Sequence, residues 1–105
     1  MTARDRNARI KQMIEHERGT GTLEPLLLYF QDPDAPAGRR FLGACIVEAY
    51  GVVTAVQKAH RLGVNPGGAV VVYDAPAHDV SVRDRLITSD EEMAQLGFTR
   101  KAVLA

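Results

Sequence analysis

The sequence predicts one small α+β domain, a two-layer sandwich in which a main helix covers a small mixed sheet of three or four strands. Three observations support this fold class. The 105 residues are 46% hydrophobic and 25% charged, which suits a single core. Apolar, β-branched segments are typical of strands. One amphipathic segment, residues 52–62, has helical period.

The first element is a predicted short helix over residues 5–18. Ile10, Met13 and Ile14 have i, i+3, i+4 spacing among polar residues, and the glycines at 19 and 21 indicate a stop. One apolar turn is marginal for an isolated helix. We therefore expect residues 1–21 to form an amphipathic helix and linker that dock on the single α+β domain of residues 22–105, or on a neighbouring subunit.

Two strands follow, separated by a loop rich in proline and aspartate at residues 32–38. Residues 23–31 contain a continuous apolar run of the kind found in buried strands. Residues 39–50 are apolar on both alternating faces, so this second strand should be central or covered on each side.

The main helix is predicted over residues 52–62. Its apolar stripe lies opposite a polar face formed by Thr54, Gln57, Lys58 and Arg61, and Gly63 follows at the position that favours a left-handed residue. A β-branched third strand occupies residues 69–73.

The rest of the chain gives weaker patterns. Residues 80–87 indicate a possible edge strand, and Ser89 with Glu92 has the spacing of a capping box that starts a short helix. Residues 98–105 suit a strand, a tail or a swapped arm.

The order of these elements predicts a topology. The second strand, the main helix and the third strand form a crossover whose strands run in the same direction. The first strand then fits between them as an antiparallel centre, in a split β-α-β unit resembling half of a ferredoxin-like sandwich. One helix covers one face only. We therefore expect the other apolar face to need the N-terminal helix, the C-terminal segment or a second subunit.

The glycine-rich turn after the main helix is the most conspicuous motif. Asn65, Gly67 and Gly68 could let backbone amides approach an anion or nucleotide. Phosphate loops, however, run from a strand into a helix N-terminus, whereas this loop leaves a helix C-terminus. A structural turn is the favoured interpretation.

Catalytic and metal-binding candidates are few. His78 with Asp74 or Asp79 could hold a metal or a substrate water, although loop polarity explains the same residues. Cys45 lies mid-strand among apolar residues, where a buried inert thiol is expected. We predict no cofactor and no metal site, and an enzyme is the less favoured class.

Charge and hydropathy exclude several partners. The 13 basic and 13 acidic residues balance. This balance and the scarcity of aromatic residues argue against a nucleic-acid surface built from Arg39, Arg40, Lys58 and Arg61. No apolar run reaches the length that spans a bilayer, and the N-terminus lacks a signal-peptide pattern. We expect a cytoplasmic protein without a membrane partner.

Residues 40–72 carry a resemblance. The stretches Phe41-Leu42-Gly43, Val47-Glu48-Ala49, Thr54-Ala55-Val56, Ala59-His60 and 62–68 are similar to short actinobacterial and phage proteins. That group has no established activity, so the resemblance implies a bacterial or phage setting and no catalytic residue.

Two functions follow as hypotheses. The first is a non-enzymatic binding or interaction module that self-associates through the uncovered sheet face or the N-terminal helix, with an interface at Ile10, Met13, Ile14, Leu26 and Leu28. The alternative is a small-molecule or nucleotide-binding protein with a pocket near Gly67, Gly68 and the loop of residues 74–79.

Overall fold

A computed structural model describes residues 3–96 of the chain. Its elements are a helix α1 (Ala3–Thr20), strands β1 (Glu24–Gln31) and β2 (Phe41–Ala49), a helix α2 (Val52–Arg61) and a strand β3 (Ala69–Asp74). A single 3₁₀ turn at Val80–Val82 and a short helix α3 (Asp90–Gln95) follow. The α+β fold class is confirmed. The undecided segment, residues 98–105, lies outside the described part.

The sheet has the order β2-β1-β3, and both neighbouring pairs are antiparallel. Strand β1 is the centre, so β2 and β3 run in the same direction on either side of it. This is the split β-α-β arrangement that the element order predicts. The register places Leu28 opposite both Cys45 and Val72, and Tyr29 opposite Ala44 and Val71.

One face of the sheet packs against α2. Alternate residues of β1 and β2 meet Ala55 and Ala59 of the helix, and the small side chains let the helix backbone approach the sheet closely. Val56 is half-buried at the same contact, whereas Val52 and Leu62, at the ends of the predicted stripe, are exposed. The buried members of this cluster are Leu26, Leu28, Phe30, Cys45, Val47, Ala49, Ala55, Ala59 and Val64.

The opposite face is covered by the chain itself, which corrects the expectation that it lacks a cover. Leu27, Ala44 and Ile46 on this face are fully buried beneath Ile87 and Met93. Residues 75–96 supply these contacts as a loop, a 3₁₀ turn and α3. Because this segment has no sustained apolar period, its covering role is not visible from a sequence pattern.

The outer edge of β2 is also occupied. The predicted edge strand over residues 80–87 is instead the 3₁₀ turn followed by two isolated bridges to β2, Arg83 with Ile46 and Ile87 with Ala44. Ala44 and Ile87 exchange both backbone hydrogen bonds, at 2.8 and 2.7 Å. The segment therefore satisfies part of the β2 edge without forming a full strand.

The end of α1 differs from its predicted form, whereas the start of α3 has the predicted cap at Ser89. Helix α1 continues through Gly19 to Thr20, whose hydroxyl donates to the carbonyl of His16. At α3, the Ser89 hydroxyl accepts from the Glu92 amide, as a capping box requires. The Glu92 carboxylate accepts a hydrogen bond from Arg85 at 2.6 Å.

No helix within residues 3–96 is long and apolar enough to cross a bilayer.

Candidate functional site

The contact between α1 and α2 is made by a carboxylate at a helix N-terminus. Glu17 Oε2 accepts from the Val53 amide and Glu17 Oε1 accepts from the Thr54 amide, both at 2.8 Å. The Thr54 hydroxyl donates to the same Oε1 at 2.8 Å. Gly51 permits this approach, because a Cβ there would lie 2.7 Å from Glu17 Cδ. Glu17 thus supplies, from another helix, the acceptor that an N-cap side chain normally provides.

The environment of Glu17 sets its ionisation. Burial alone would raise the pKa of this carboxyl, but the hydrogen bonds from the Thr54 and Val53 amides and the Thr54 hydroxyl stabilise the anion and hold the pKa below its ordinary value. The positive end of the α2 dipole acts in the same direction. Glu17 is therefore charged at neutral pH and fixes α1 to α2.

This docking creates a cleft of about 290 Å³ between the two helices and the end of β2. Its volume is at the lower end of the range for small-molecule sites. Helix α1 contributes Ile14 and Arg18, and the linker contributes Leu23. The remaining lining residues are Glu48, Ala49, Tyr50, Thr54, Gln57, Lys58 and Arg61.

Helix α2 presents one polar face to the cleft. Thr54, Gln57, Lys58 and Arg61 have i, i+3, i+4, i+7 spacing, which places them on one side of the helix, and all four line the cleft. The side opposite, with Ala55 and Ala59, packs on the sheet. The amphipathic pattern that buries one side of α2 therefore places the polar side of the helix at the cleft.

The cleft is cationic in a chain of zero net charge. Arg18, Lys58 and Arg61 line it, and among the described residues Glu48 is the only acidic side chain that lines it. Glu48 already forms an ion pair with Arg83 outside the cleft. Lys58 Nζ donates to the backbone carbonyl of Glu48 at 3.1 Å, which leaves two of its three N–H groups for another acceptor.

Apolar surface accompanies these charges. Leu23 and Tyr50 are exposed at the cleft, and Ile14 is half-buried beside them. A concave site with a few convergent charged groups and an apolar wall is the usual form of a small-molecule site.

The glycine-rich turn is separate from the cleft, and none of its residues lines it. The Asn65 side chain accepts from the Gly67 amide at 2.8 Å, and Gly67 and Gly68 have φ of 91° and 77°. At Gly68 a Cβ would lie 2.5 Å from the Gln31 carbonyl oxygen. The loop is thus a tight turn that brings β3 against β1, and its glycines serve the backbone.

His78 is held by two structural hydrogen bonds rather than by Asp74 or Asp79. Its Nδ1 lies 2.6 Å from the Pro76 carbonyl oxygen, and its Nε2 accepts from Arg83 Nε at 2.8 Å. These partners assign the neutral tautomer with the proton on Nδ1. Arg83 continues to Glu48 through an ion pair. The chain of contacts ties the loop after β3 to the end of β2.

The two aspartates proposed beside His78 take no part in those hydrogen bonds. Asp79 accepts from the Ser81 amide at 2.9 Å and so begins the 3₁₀ turn, and this hydrogen bond lowers the pKa of Asp79. Asp74 is exposed at the end of β3. The structure does not bring the three residues together as a site.

Cys45 is buried, as expected. Its side chain is inaccessible within the cluster beneath α2, and burial, followed by the nearby negative charge of Asp84, raises the pKa of the thiol to about 11. A thiol in this state is a poor nucleophile at neutral pH.

The predicted interface residues divide into two groups. Leu26 and Leu28 belong to the core under α2 and are not available to a partner, which corrects that prediction. Helix α2 covers one face of β1, and residues 75–96 cover the other. Ile10 and Ile14 of α1 are half-buried, and Met13 is 45% exposed.

Sequence reasoning missed Glu17 and the cleft. Glu17 acts on residues 36 and 37 positions away, and no local pattern reports such a contact. A signal for the cleft was present in the polar face of α2, where Lys58 and Arg61 are one turn apart. Arg39 and Arg40 precede β2, at the opposite end of that strand from the cleft.

Within residues 3–96, no group of three or more histidine, cysteine, aspartate or glutamate side chains is placed to hold a metal ion. The sequence matches no protein-family model, and comparisons with curated proteins and with solved structures find no match.

Proposed function

We propose that this protein is a non-enzymatic binding module that takes a small phosphorylated molecule in the cleft between α1 and α2. The observation that carries the proposal is the convergence of Arg18, Lys58 and Arg61 on one cleft with an apolar wall. The sequence pointed to the glycine-rich loop as the site, whereas we propose the cleft. The class of function, small-molecule or nucleotide binding, is the one that the sequence analysis gave as its alternative.

The charge of the cleft favours a phosphate over a single carboxylate. Three cations face one glutamate that is already paired, and a phosphate monoester carries about −1.5 to −2 at neutral pH. Arginine forks match phosphate oxygens geometrically, and a lysine ammonium adds a mobile point charge. Tyr50, Leu23 and Ile14 offer surface for the organic part of the ligand, such as a nucleoside.

Isothermal titration calorimetry with a fixed probe set tests this proposal. We expect AMP and pyrophosphate to bind and adenosine, which lacks the phosphate, to bind weakly or not at all. The double variant Arg18→Ala/Arg61→Ala removes two cations and should weaken AMP binding at least tenfold, because a charge-assisted hydrogen bond contributes about 1.5–3 kcal/mol.

The matched control is Arg39→Ala, an exposed arginine away from the cleft. It should leave the affinity for AMP within about twofold of the wild-type value, since a distant exposed charge is screened. No heat with any phosphorylated probe, or equal losses in the double variant and in Arg39→Ala, would refute the proposal.

Self-association is our second proposal. Its first basis, an uncovered sheet face, is removed by the cover that residues 75–96 supply. Support comes instead from apolar groups that remain exposed, among them Met13 on α1 and Val71 on β3.

We also propose a cytoplasmic setting, which the lone cysteine suits, and a bacterial or phage origin.

A further inference from the structure

We propose that the chain forms a two-fold dimer in which the β3 strands of two copies pair antiparallel, so that two three-stranded sheets become one six-stranded sheet. The inference goes beyond ligand binding, because β3 contributes nothing to the cleft. It starts from a difference between the two edges of the sheet.

The described residues, 3–96, protect one edge of the sheet and leave the other edge open. Along β2, the outward backbone groups of Ala44 and Ile46 bond to Ile87 and Asp84. Strand β3 is the opposite edge, and within residues 3–96 it pairs only with β1. An open edge is a template for another strand.

The register identifies the outward groups of β3. Ala75 donates its amide to the Pro25 carbonyl at 3.3 Å, which marks positions 25 and 75 as a hydrogen-bonded pair. Because such pairs alternate along an antiparallel ladder, Val71 and Tyr73 direct their backbone groups to β1. The N–H and C=O groups of Val70, Val72 and Asp74 therefore point away from the sheet.

Strand β3 lacks the features that usually block edge pairing. The strand reads Ala-Val-Val-Val-Tyr-Asp, with no proline and no lysine, and its pairing with β1 continues without a bulge from Leu26↔Asp74 to Gln31↔Ala69. Its only charge, on Asp74, stands at one end. A six-residue, β-branched edge strand without a bulge has high pairing propensity.

These outward groups are complementary to a second copy of the same strand. In the register centred on Val72, Val72 pairs with the partner's Val72, and Val70 pairs with the partner's Asp74, so every outward group finds a counterpart. The two Asp74 carboxylates then lie at opposite ends of the paired strands. A parallel pairing would set them side by side, where like charges repel. The charge therefore favours the antiparallel two-fold arrangement.

Side chains on both faces support the same partner. Val71, which is 36% exposed, would lie beside the partner's Tyr73, an aromatic and β-branched pair of the kind that stabilises antiparallel strands. On the other face, Val70 and Val72 are half-buried. Helix α2 packs mainly over β2 and β1 rather than over β3.

Sedimentation equilibrium of the full chain tests this dimer, with Val71→Lys as the disrupting variant. Lysine is the residue that natural edges use against pairing. The matched control is Val80→Lys, the same change at a valine that is 67% exposed away from β3. We expect the wild type to form a dimer with a dissociation constant below about 500 μM. The dimer dissociation constant should rise at least tenfold in Val71→Lys and stay within about twofold in Val80→Lys.

A second variant distinguishes the loss of strand pairing from a folding defect. Val72→Pro removes an outward N–H and none of the hydrogen bonds to β1, so it should also abolish dimerisation while the chain remains folded by circular dichroism. Amide exchange at Val70 and Val72 should slow as the wild-type concentration rises. A wild-type monomer, a dimer equally stable in Val71→Lys and Val80→Lys, or protection of these amides that is independent of concentration would overturn the proposal.

Discussion

Glu17 is the residue on which the position of α1 depends. Its two carboxylate oxygens satisfy two of the free amides in the first turn of α2, those of Val53 and Thr54, and hold the cleft walls together. The contact replaces solvent or a local cap by a side chain from another helix. One substitution at this position therefore tests both the stability of the fold and the integrity of the cleft.

Glu17→Gln should lower the free energy of unfolding by about 1–2 kcal/mol at pH 7, the range for losing a charged helix cap. Urea unfolding measures the difference, and Glu15→Gln, an exposed position on the same helix, is the matched control with an expected change near zero. Because the folded state lowers the pKa of Glu17, its contribution is fully present above the ordinary carboxyl pKa near 4.5. The contribution is lost as the pH falls through the lowered folded pKa. A gap between wild type and Glu17→Gln that persists unchanged in strong acid would contradict this role.

Substitutions at two neighbouring glycines, Gly67 and Gly68, test whether the glycine-rich turn has a structural role. Gly67→Ala meets open space and has only the strain of φ 91°, whereas Gly68→Ala has φ 77° and also brings a Cβ within 2.5 Å of the Gln31 carbonyl oxygen. We expect Gly67→Ala to cost about 1 kcal/mol, and Gly68→Ala to cost distinctly more because β3 must shift. Thermal or urea unfolding compares them, and equal losses would show that the close approach at Gly68 does not constrain the strand.

Among the elements, residues 75–96 cover the sheet face for which the sequence pattern left the N-terminal helix, the C-terminal segment or a second subunit as candidates. Ile87 is fully buried on the second face and also bonds to β2 through its backbone. A loop, a 3₁₀ turn and a helix of six residues show no common period, so their apolar positions look isolated in the sequence. These residues cover the face together because their apolar side chains pack in one cluster, although they share no regular secondary structure.

Ile87→Ala should destabilise the monomeric fold by about 2–5 kcal/mol, through lost burial and the cavity left over β2. The control Val80→Ala, at an exposed valine of the same segment, should change stability by less than about 0.5 kcal/mol. Both are measured by urea unfolding at low protein concentration. A small effect of Ile87→Ala would mean that residues 75–96 do not cover this face in solution.

The elements with a local signature were predictable, and the contacts between them were not. The strands, α2 and the central position of β1 follow from apolar period and the crossover rule. The docking of α1 through Glu17 joins residues far apart in sequence, and a single glutamate among several charged residues gives no signal of it. The cleft depends on that docking, so it was equally hidden.

In the molecule as a whole, the core and the proposed binding site lie on opposite sides of the same helix. The side of α2 with Ala55 and Ala59 closes the core, and the side with Lys58 and Arg61 forms the cleft with α1. Strand β3 contributes no residue to the cleft, so the proposed pairing of β3 strands would not use the residues that line it.

Amide chemical shifts of the isotopically labelled full chain, followed during titration with AMP, locate the ligand site directly. We predict that the largest changes fall on Arg18, Thr54, Lys58 and Arg61, and that Asn65, Gly67 and Gly68 change little. Changes centred on the glycine-rich turn, or no change at millimolar AMP, would contradict the assignment of the cleft as the binding site.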